Sequence, residues 1–284
     1  MSNVEKRILV GMGQLLVEGG EPARNLERAG KMVAQASKAG CSIILLPETL
    51  DFAWTHPSAL NEALPIPGLY SDTLCSYARE NQIYVCAGLT EKLGDKNYNT
   101  AILINPHGEI ILKYHKINLL TVEQPYYAIG QTLNVVNTPF GKIGVNICAD
   151  NYIDGLAIGH TLARMGAQLI LSPSSWTVDY KVTEEHDPYH EKWVKPYSIL
   201  AQYYDMVIIG TTCVGYIVGG PYEGKKSIGC SLAVDKSGII KQGKFNEFAG
   251  ELIIAEIEIP VRKEKGTEIG EMLLKRGFTF DAIL

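Results

Sequence analysis

Three side chains in this sequence could together carry out acyl transfer at a carbonyl or nitrile carbon: the Cys148 thiol, the Glu48 carboxylate and the Lys116 ammonium. Each stands at the end of a run that reads as a strand. Cys148 follows the apolar stretch 142–147, Glu48 follows Ser42-Ile43-Ile44-Leu45-Leu46-Pro47, and Lys116 lies just beyond residues 109–114. Strand ends are where rigid structure hands over to loops able to carry chemistry. Thiolate attack needs a base beside the sulfur or a field that lowers its pKa, and a carboxylate could supply the base. An ammonium could hold the charge that develops on the carbonyl oxygen or nitrile nitrogen. Each residue also has a plainer reading. Cysteine is among the most buried residue types, and Glu48 and Lys116 could be solvated side chains past a strand. Composition cannot decide whether the three meet.

The elements that would position them alternate. Strands are predicted over 7–14, 42–46, 83–87, 99–104, 109–114, 133–136, 142–147, 167–171, 206–211, 228–234, 239–242 and 252–257. Helices are predicted over 23–39, where Leu26, Ala29, Val33 and Ala36 make one apolar stripe, and over 71–81, 158–165, 193–204 and 269–274. Pro47 ends its strand because it offers no ladder donor, and Asn105-Pro106-His107-Gly108 is a hairpin-like turn. Such alternation is α/β, and the many tight turns argue for mixed sheets. His115 adjoins Lys116, but neighbouring strand residues point to opposite faces, so it is expected to face away.

Several function classes have nothing to stand on. The 284 residues carry a net charge of -5 from 26 basic and 31 acidic side chains, with no basic block for a nucleic acid. There is no GxGxxG after the first strand, no GxxxxGK and no GxSxG. The six cysteines are scattered without a CxxC pair, so neither a structural zinc site nor a disulfide framework is signalled. The first residues lack the apolar region of a signal peptide, and no window reaches the roughly 18–20 apolar residues of a membrane span. A cytosolic protein without metal or organic cofactor is expected.

At the three candidate residues the sequence resembles the nitrilase, or carbon-nitrogen hydrolase, superfamily. Leu45-Leu46-Pro47-Glu48 matches the segment carrying that family's general base, Tyr114-His115-Lys116-Ile117-Asn118-Leu119 its lysine motif, and Gly144-Val145-Asn146-Ile147-Cys148-Ala149-Asp150 its nucleophile motif. Glu123, Tyr127 and Gly130 resemble the segment that supplies a second active-site carboxylate. Ser172-Pro173-Ser174-Ser175-Trp176 and Gly229-Cys230-Ser231 resemble later landmarks. The similarity covers roughly residues 7–258.

The resemblance implies a four-layer α-β-β-α sandwich with two mixed sheets, formed by residues 1–261 as a single domain. Residues 262–284 would be a C-terminal tail packed on its own or a neighbouring subunit, in a homo-oligomer built from dimers. It also implies a mechanism. Glu48 takes the Cys148 proton, the thiolate attacks, and Lys116 with the Ala149 backbone N-H stabilises the oxyanion. Glu123 would orient Lys116 or the substrate.

The sequence departs from the family pattern at Asn118, where many relatives have histidine, and at Ala149 and Asp154. Asparagine does not titrate near neutrality, which counts against an N-carbamoyl compound hydrolase. Cys148-x-Asp150 looks more like the amidase and carbamoylase branches than like nitrilases. The expected reaction is hydrolysis of a small amide, with a carbamoylase, a nitrilase and a non-catalytic binding or assembly protein as alternatives. Candidate substrate contacts are Trp54, Asn118, Tyr126, Asp150, Trp176 and His186, with His56 and Tyr189 in the same loops.

Overall fold

The computed structural model describes residues 6–261, 272 and 275–277. The strands are β1 (Lys6–Gln14), β2 (Ile43–Leu45), β3 (Tyr84–Leu93), β4 (Lys96–Ile104), β5 (Ile110–His115), β6 (Val135–Thr138), β7 (Gly141–Val145), β8 (Leu169–Pro173), β9 (Thr177–Val178), β10 (Val207–Thr211), β11 (Val214–Tyr216), β12 (Lys226–Ile228), β13 (Leu232–Asp235), β14 (Gly238–Gln242) and β15 (Glu251–Ile259). The helices are α1 (Pro22–Lys38), the short α2 (Ala59–Glu62), α3 (Leu69–Asn81), α4 (Ala157–Arg164) and α5 (Lys195–Tyr204).

Two six-stranded sheets share one plan. The first runs β15-β1-β2-β3-β4-β5 and the second β14-β13-β10-β8-β7-β6. In each, three parallel strands form the centre, β1-β2-β3 and β7-β8-β10, with antiparallel strands on the flanks. Strands covered on both faces read as continuous apolar runs, and β2 shows why. Ile43 and Leu45 join the core between the sheets, while Ile44 and Leu46 join the core under α1 and α3. Across the inter-sheet core, Val10 and Met12 meet residues of the second sheet such as Val145 and Leu171. Leu162 of α4 and Leu200 of α5 cover the other side of the second sheet. The layers are therefore helix, sheet, sheet, helix. Among the described residues no helix is long and apolar enough to cross a membrane.

The local differences from the sequence reading have physical causes. The apolar run 228–234 is not one strand: it breaks at Gly229 and Cys230, whose φ values of 69° and 63° turn the chain from β12 into β13 of a different sheet. β9, β11 and β12 make a small third sheet, built from runs too short to announce themselves. The helix expected from residue 193 enters through a π-helical turn, His190–Val194, before α5 begins. The expected tail, 262–284, and its helix over 269–274 fall almost wholly outside the described residues.

The parallel strands of both sheets point their C-terminal ends at one region. Glu48 follows β2, Cys148 follows β7 and Ser175 follows β8. The backbone after β2 is seated against β3: the Gly88 N-H donates to Pro47 O at 3.0 Å, and the Leu50 N-H donates to Gly88 O at 2.9 Å. A Cβ on Gly88 would lie 2.5 Å from Glu48 Cα and 2.8 Å from the Thr49 nitrogen. Both are backbone atoms that cannot swing aside. Gly88→Ala is therefore expected to destabilise the fold by about 1–3 kcal/mol. Urea denaturation checks this, and an unchanged midpoint would mean that the contact yields freely.

Candidate active site

Glu48, Lys116 and Glu123 form a fully buried ion triad. Lys116 Nζ donates to Glu48 Oε1 at 2.8 Å and to both oxygens of Glu123, at 2.8 and 3.0 Å. Lys116 is set by its backbone N-H, which donates to Asn99 O on β4 at 2.9 Å. The Asn99 side chain spans the same group, donating to Glu48 Oε1 at 2.6 Å and to Glu123 Oε1 at 3.3 Å. Glu123 ends a one-turn 3-10 helix and accepts the Leu120 N-H at 2.8 Å and the Trp54 indole N-H at 2.8 Å. The bonds to the two carboxylates are charged or charge-assisted and buried, where such bonds are at their strongest.

Cys148 opens a second 3-10 turn, Cys148–Asn151, directly after β7. Its φ is 43°, a left-handed conformation that is strained for a residue with a Cβ. Buried amides hold it there. Asn146 and Asn151 exchange side-chain hydrogen bonds at 2.7 and 3.0 Å, and Asn151 also donates to Cys148 O at 3.3 Å and to Ser172 Oγ at 2.8 Å. Asp150 ties this turn to the lysine segment. Its Oδ2 accepts from Tyr114 at 2.7 Å and from the Ile147 N-H at 2.9 Å, and its Oδ1 accepts from the Asn118 N-H at 2.9 Å. The Ala149 N-H lies in the first turn of that short helix, where backbone donors lack intrahelical partners.

The charges act on one another across this space. Burial pushes the Glu48 carboxyl above the usual range, with Glu123 adding to the effect and Lys116 and Asn99 opposing it. Burial works against the Lys116 ammonium, but Glu123 and Glu48 outweigh it and hold its pKa well above the lysine norm. Burial and then the Glu48 charge push the Cys148 thiol well above its ordinary value, while Lys116 and the Ser175 N-H pull it down. The resting sulfur is thus a thiol, with a base and a cation near enough to act on it.

Cys148 opens onto a cavity of about 300 Å³. Its walls are strongly aromatic: Trp54, Tyr152, Trp176, Tyr189, Trp193 and Tyr222. Trp176 stacks on Trp193 with centroids 4.6 Å apart, and Trp54 meets Tyr222 edge-on at 5.2 Å. Its charged lining residues are Lys192, Lys225 and Asp179, with Lys192 over the Tyr152 ring at 5.9 Å and Lys225 over the Tyr222 ring at 4.2 Å.

Of the residues marked in the sequence, the structure gathers Glu48, Lys116, Glu123, Cys148, Ala149, Trp54, Trp176 and Tyr189 at this site. Five others do not line the cavity. His186 is exposed, with Nδ1 on the Thr183 hydroxyl at 3.1 Å, because its acidic loop runs over the surface. Tyr126 packs beside Phe52 and Ala59, away from the cavity. Asn118 borders a separate cleft with Asp154 and Gly155. Asp150 is fully buried and engaged by three protein donors, which tie the cysteine turn to the lysine segment. His56 accepts the Ser58 N-H at 3.2 Å and is outside the cavity lining. Asn99, Asn146 and Asn151 were not foreseen. The available signal was asparagine inside or beside otherwise apolar strand runs, where its side chain must find buried partners. Among the described residues no cluster of three His, Cys, Asp or Glu could hold a metal.

The carbon-nitrogen hydrolase family model matches residues 9–264. A protein named nitrilase from Pyrococcus abyssi (strain GE5 / Orsay) is 35% identical over 165 residues, 56% of this chain and 62% of that protein. The omega-amidase NIT2 of Mus musculus is 30% identical over 164 residues, 54% of this chain and 59% of that protein. The chain thus spans about three-fifths of the length of these curated relatives. A variant of the amidase from Nesterenkonia sp. AN1, solved with acrylamide added to its active-site cysteine, superposes with a TM-score of 0.74 at 18% identity, covering 89% of this chain and 94% of that one. That likeness is one of fold.

Two outcomes follow from the geometry. Asp150→Asn keeps the shape but turns an amide donor toward groups that themselves donate. It should lower stability by about 1–3 kcal/mol, and by loosening the tie to the Lys116 segment it should slow alkylation of Cys148 by iodoacetamide. An alkylation rate equal to wild type would show that the tie does not set the thiol's surroundings.

The second concerns Asp51, buried beneath the Glu48 loop, where it accepts the Thr90 N-H at 2.8 Å and the Phe52 N-H at 3.0 Å. Burial pushes its carboxyl up to about 7 from 3.8. The folded chain therefore keeps a proton that the unfolded chain has released. The stability this contributes is complete below about pH 4 and is lost as pH rises through about 7, with a limiting slope of about 1.36 kcal/mol per pH unit. Asp51→Asn should remove that slope. Urea unfolding at stepped pH measures it, and parallel curves for the two proteins would contradict it.

Proposed function

The chain belongs to the carbon-nitrogen hydrolase family, and on that premise we propose that it hydrolyses the carbon-nitrogen bond of a small amide through a thioester on Cys148. The observation that carries this is the buried Glu48-Lys116-Glu123 triad, whose charges act directly on a buried, left-handed cysteine at the mouth of a cavity. In this reading Glu48 takes the Sγ proton as sulfur bonds to the amide carbon. Lys116 Nζ and the Ala149 N-H hold the oxyanion. Glu48 returns the proton to the leaving nitrogen, and ammonia or an amine departs as the carbon-nitrogen bond breaks. Water then bonds to the thioester carbon, giving its proton to Glu48. The carbon-sulfur bond breaks, and Sγ recovers a proton from Glu48, leaving a carboxylic acid. Glu123 keeps Lys116 charged and aimed, and no step calls for a metal or organic cofactor.

The cavity supports a small substrate with an acyl portion flat enough to lie among aromatic rings. Two lysines against one aspartate in its lining support an anionic group on the substrate. The reading also takes in residues 1–261 as one domain, which the family match over 9–264 supports. It includes a cytosolic setting, supported by six cysteines that form no disulfide. It includes pairing into dimers without nucleic-acid or membrane partners, resting on the family resemblance and the acidic net charge of -5.

A nitrile is the second reading, favoured by the 35% identity to a protein named nitrilase. A single panel separates the two: neutral and carboxylate-bearing amides, matched nitriles and N-carbamoyl compounds, followed by ammonia release and intact mass. Amide turnover with an acyl adduct that vanishes in Cys148→Ala is the expected result, with carboxylate-bearing amides preferred. Conversion of nitriles alone would transfer the reading to nitrilase, and carbon dioxide release to a carbamoylase. Absence of any adduct across the panel would leave a binding protein on the same fold.

A further inference from the structure

Beside the aromatic cavity lies a second, smaller space that Cys148 does not line and that reaches the surface at the exposed Tyr216 and Val218. Its volume is about 20 Å³, against the roughly 10–15 Å³ that one water needs. Glu48 forms part of its wall, together with Ser175, Cys213 and Ser227. All four are at least nine-tenths buried. Ser175 Oγ and Cys213 Sγ are 3.6 Å apart, and Cys213 Sγ donates to Ser227 Oγ at 3.4 Å. Contacts through sulfur are weak, so these groups have hydrogen-bonding capacity to spare. Glu48 Oε1 is occupied by Lys116 and Asn99, whereas the buried Oε2 has no hydrogen-bond partner in the protein.

Trp54 and Ser175 border both spaces and so form the partition between them. Ser175 is engaged on both sides, with its N-H on the Cys148 sulfur and its hydroxyl against Cys213. An acyl group on Cys148 would occupy the larger cavity, whose lining does not include Glu48, and leave the smaller space beside Glu48 free.

We propose that the space walled by Ser175, Cys213 and Ser227 binds the hydrolytic water, holding it against the unpartnered Oε2 of Glu48. This rests on the thioester reading above. The step balances without further reactants: the water oxygen bonds to the thioester carbon, its proton passes to Glu48 Oε2, and the carbon-sulfur bond breaks as Sγ regains a proton. Ser227 and Cys213 are then positioning residues for water and touch neither substrate nor sulfur.

The test uses the whole chain and an amide that turns over. Ser227→Val replaces the hydroxyl with a methyl group and adds a second, filling the chamber. It should leave the pre-steady-state burst of ammonia within about twofold of wild type while slowing the steady state about tenfold or more, so that acyl-enzyme accumulates in the intact-mass spectrum. If Ser227→Val fails to fold by circular dichroism, Ser227→Ala with a crystal structure of the wild type replaces it. A water bonded to both Glu48 Oε2 and Ser227 Oγ is then required, together with slower deacylation in Ser227→Ala. Normal deacylation in Ser227→Val, or burst and steady state falling together, overturns the proposal while leaving the thioester reading intact. A wild type that forms no adduct removes both.

Discussion

A lysine ammonium with no access to water is held between two carboxylates, and the rest of this molecule is arranged around that fact. Stripping an ion of solvent costs several kcal/mol even after the protein relaxes, and only close, well-aligned partners offset it. Lys116 has three carboxylate contacts at 2.8–3.0 Å. The carboxylates are in turn fed by Asn99, Trp54 and the Leu120 N-H. Removing one partner from such a network leaves a buried charge uncompensated, so its members depend on one another. The network needs three separate chain segments to end at one point, which two sheets with parallel centres provide.

The two faces of β5 show how strictly the strand period enforces this. Lys116, just past its end, enters the inter-sheet site. His115 turns the other way, where its Nε2 meets Glu91 Oε2 at 2.7 Å and its ring stacks on Tyr98 at 4.2 Å. Glu91 also receives Lys113 at 2.6 Å and Thr100 at 3.0 Å. A second charged cluster therefore flanks the same strands without sharing a residue with the first. A slip of one residue in β5 would exchange the two lysine environments and pull the ammonium away from Cys148.

The parts of this architecture that were legible in the sequence are those fixed by local rules. Ile43 to Leu46 reads as a doubly covered strand because both alternating faces are apolar. The stripe on α1 reads as a helix because its period is 3.6, and Pro47 and Gly40 mark ends by their backbone limits. The meeting of Glu48, Lys116 and Cys148 was suggested by shared placement at strand ends and by motif resemblance. No spacing rule could supply the distances, because the contacts cross 68 residues between Glu48 and Lys116 and 36 between Tyr114 and Asp150. The loop residues were hardest. Tyr126 carries the same side chain as Tyr152, and His186 is a loop aromatic like Tyr189, so only packing decides which face the cavity. The break at Gly229-Cys230 is hidden because two positive φ values change the sheet without changing hydropathy.

The electrostatics also explain why the sulfur is not simply kept as a thiolate. A permanently ionised Cys148 would place a third negative charge beside Glu48 and Glu123, with one ammonium to offset all three. Burial instead raises both the thiol and Glu48 while Lys116 keeps its proton, so the resting site carries the fewest uncompensated charges. In the reaction proposed above, deprotonation of sulfur becomes favourable as the thiolate's charge passes on to a carbonyl oxygen beside Lys116. The cation would stabilise that later charge better than the resting one, because it is already oriented and needs no solvent to rearrange. An orientation fixed this firmly must be built before the substrate arrives. The left-handed backbone at Cys148 serves that end, its strain of about 1–3 kcal/mol offset by the asparagine pair that locks the turn.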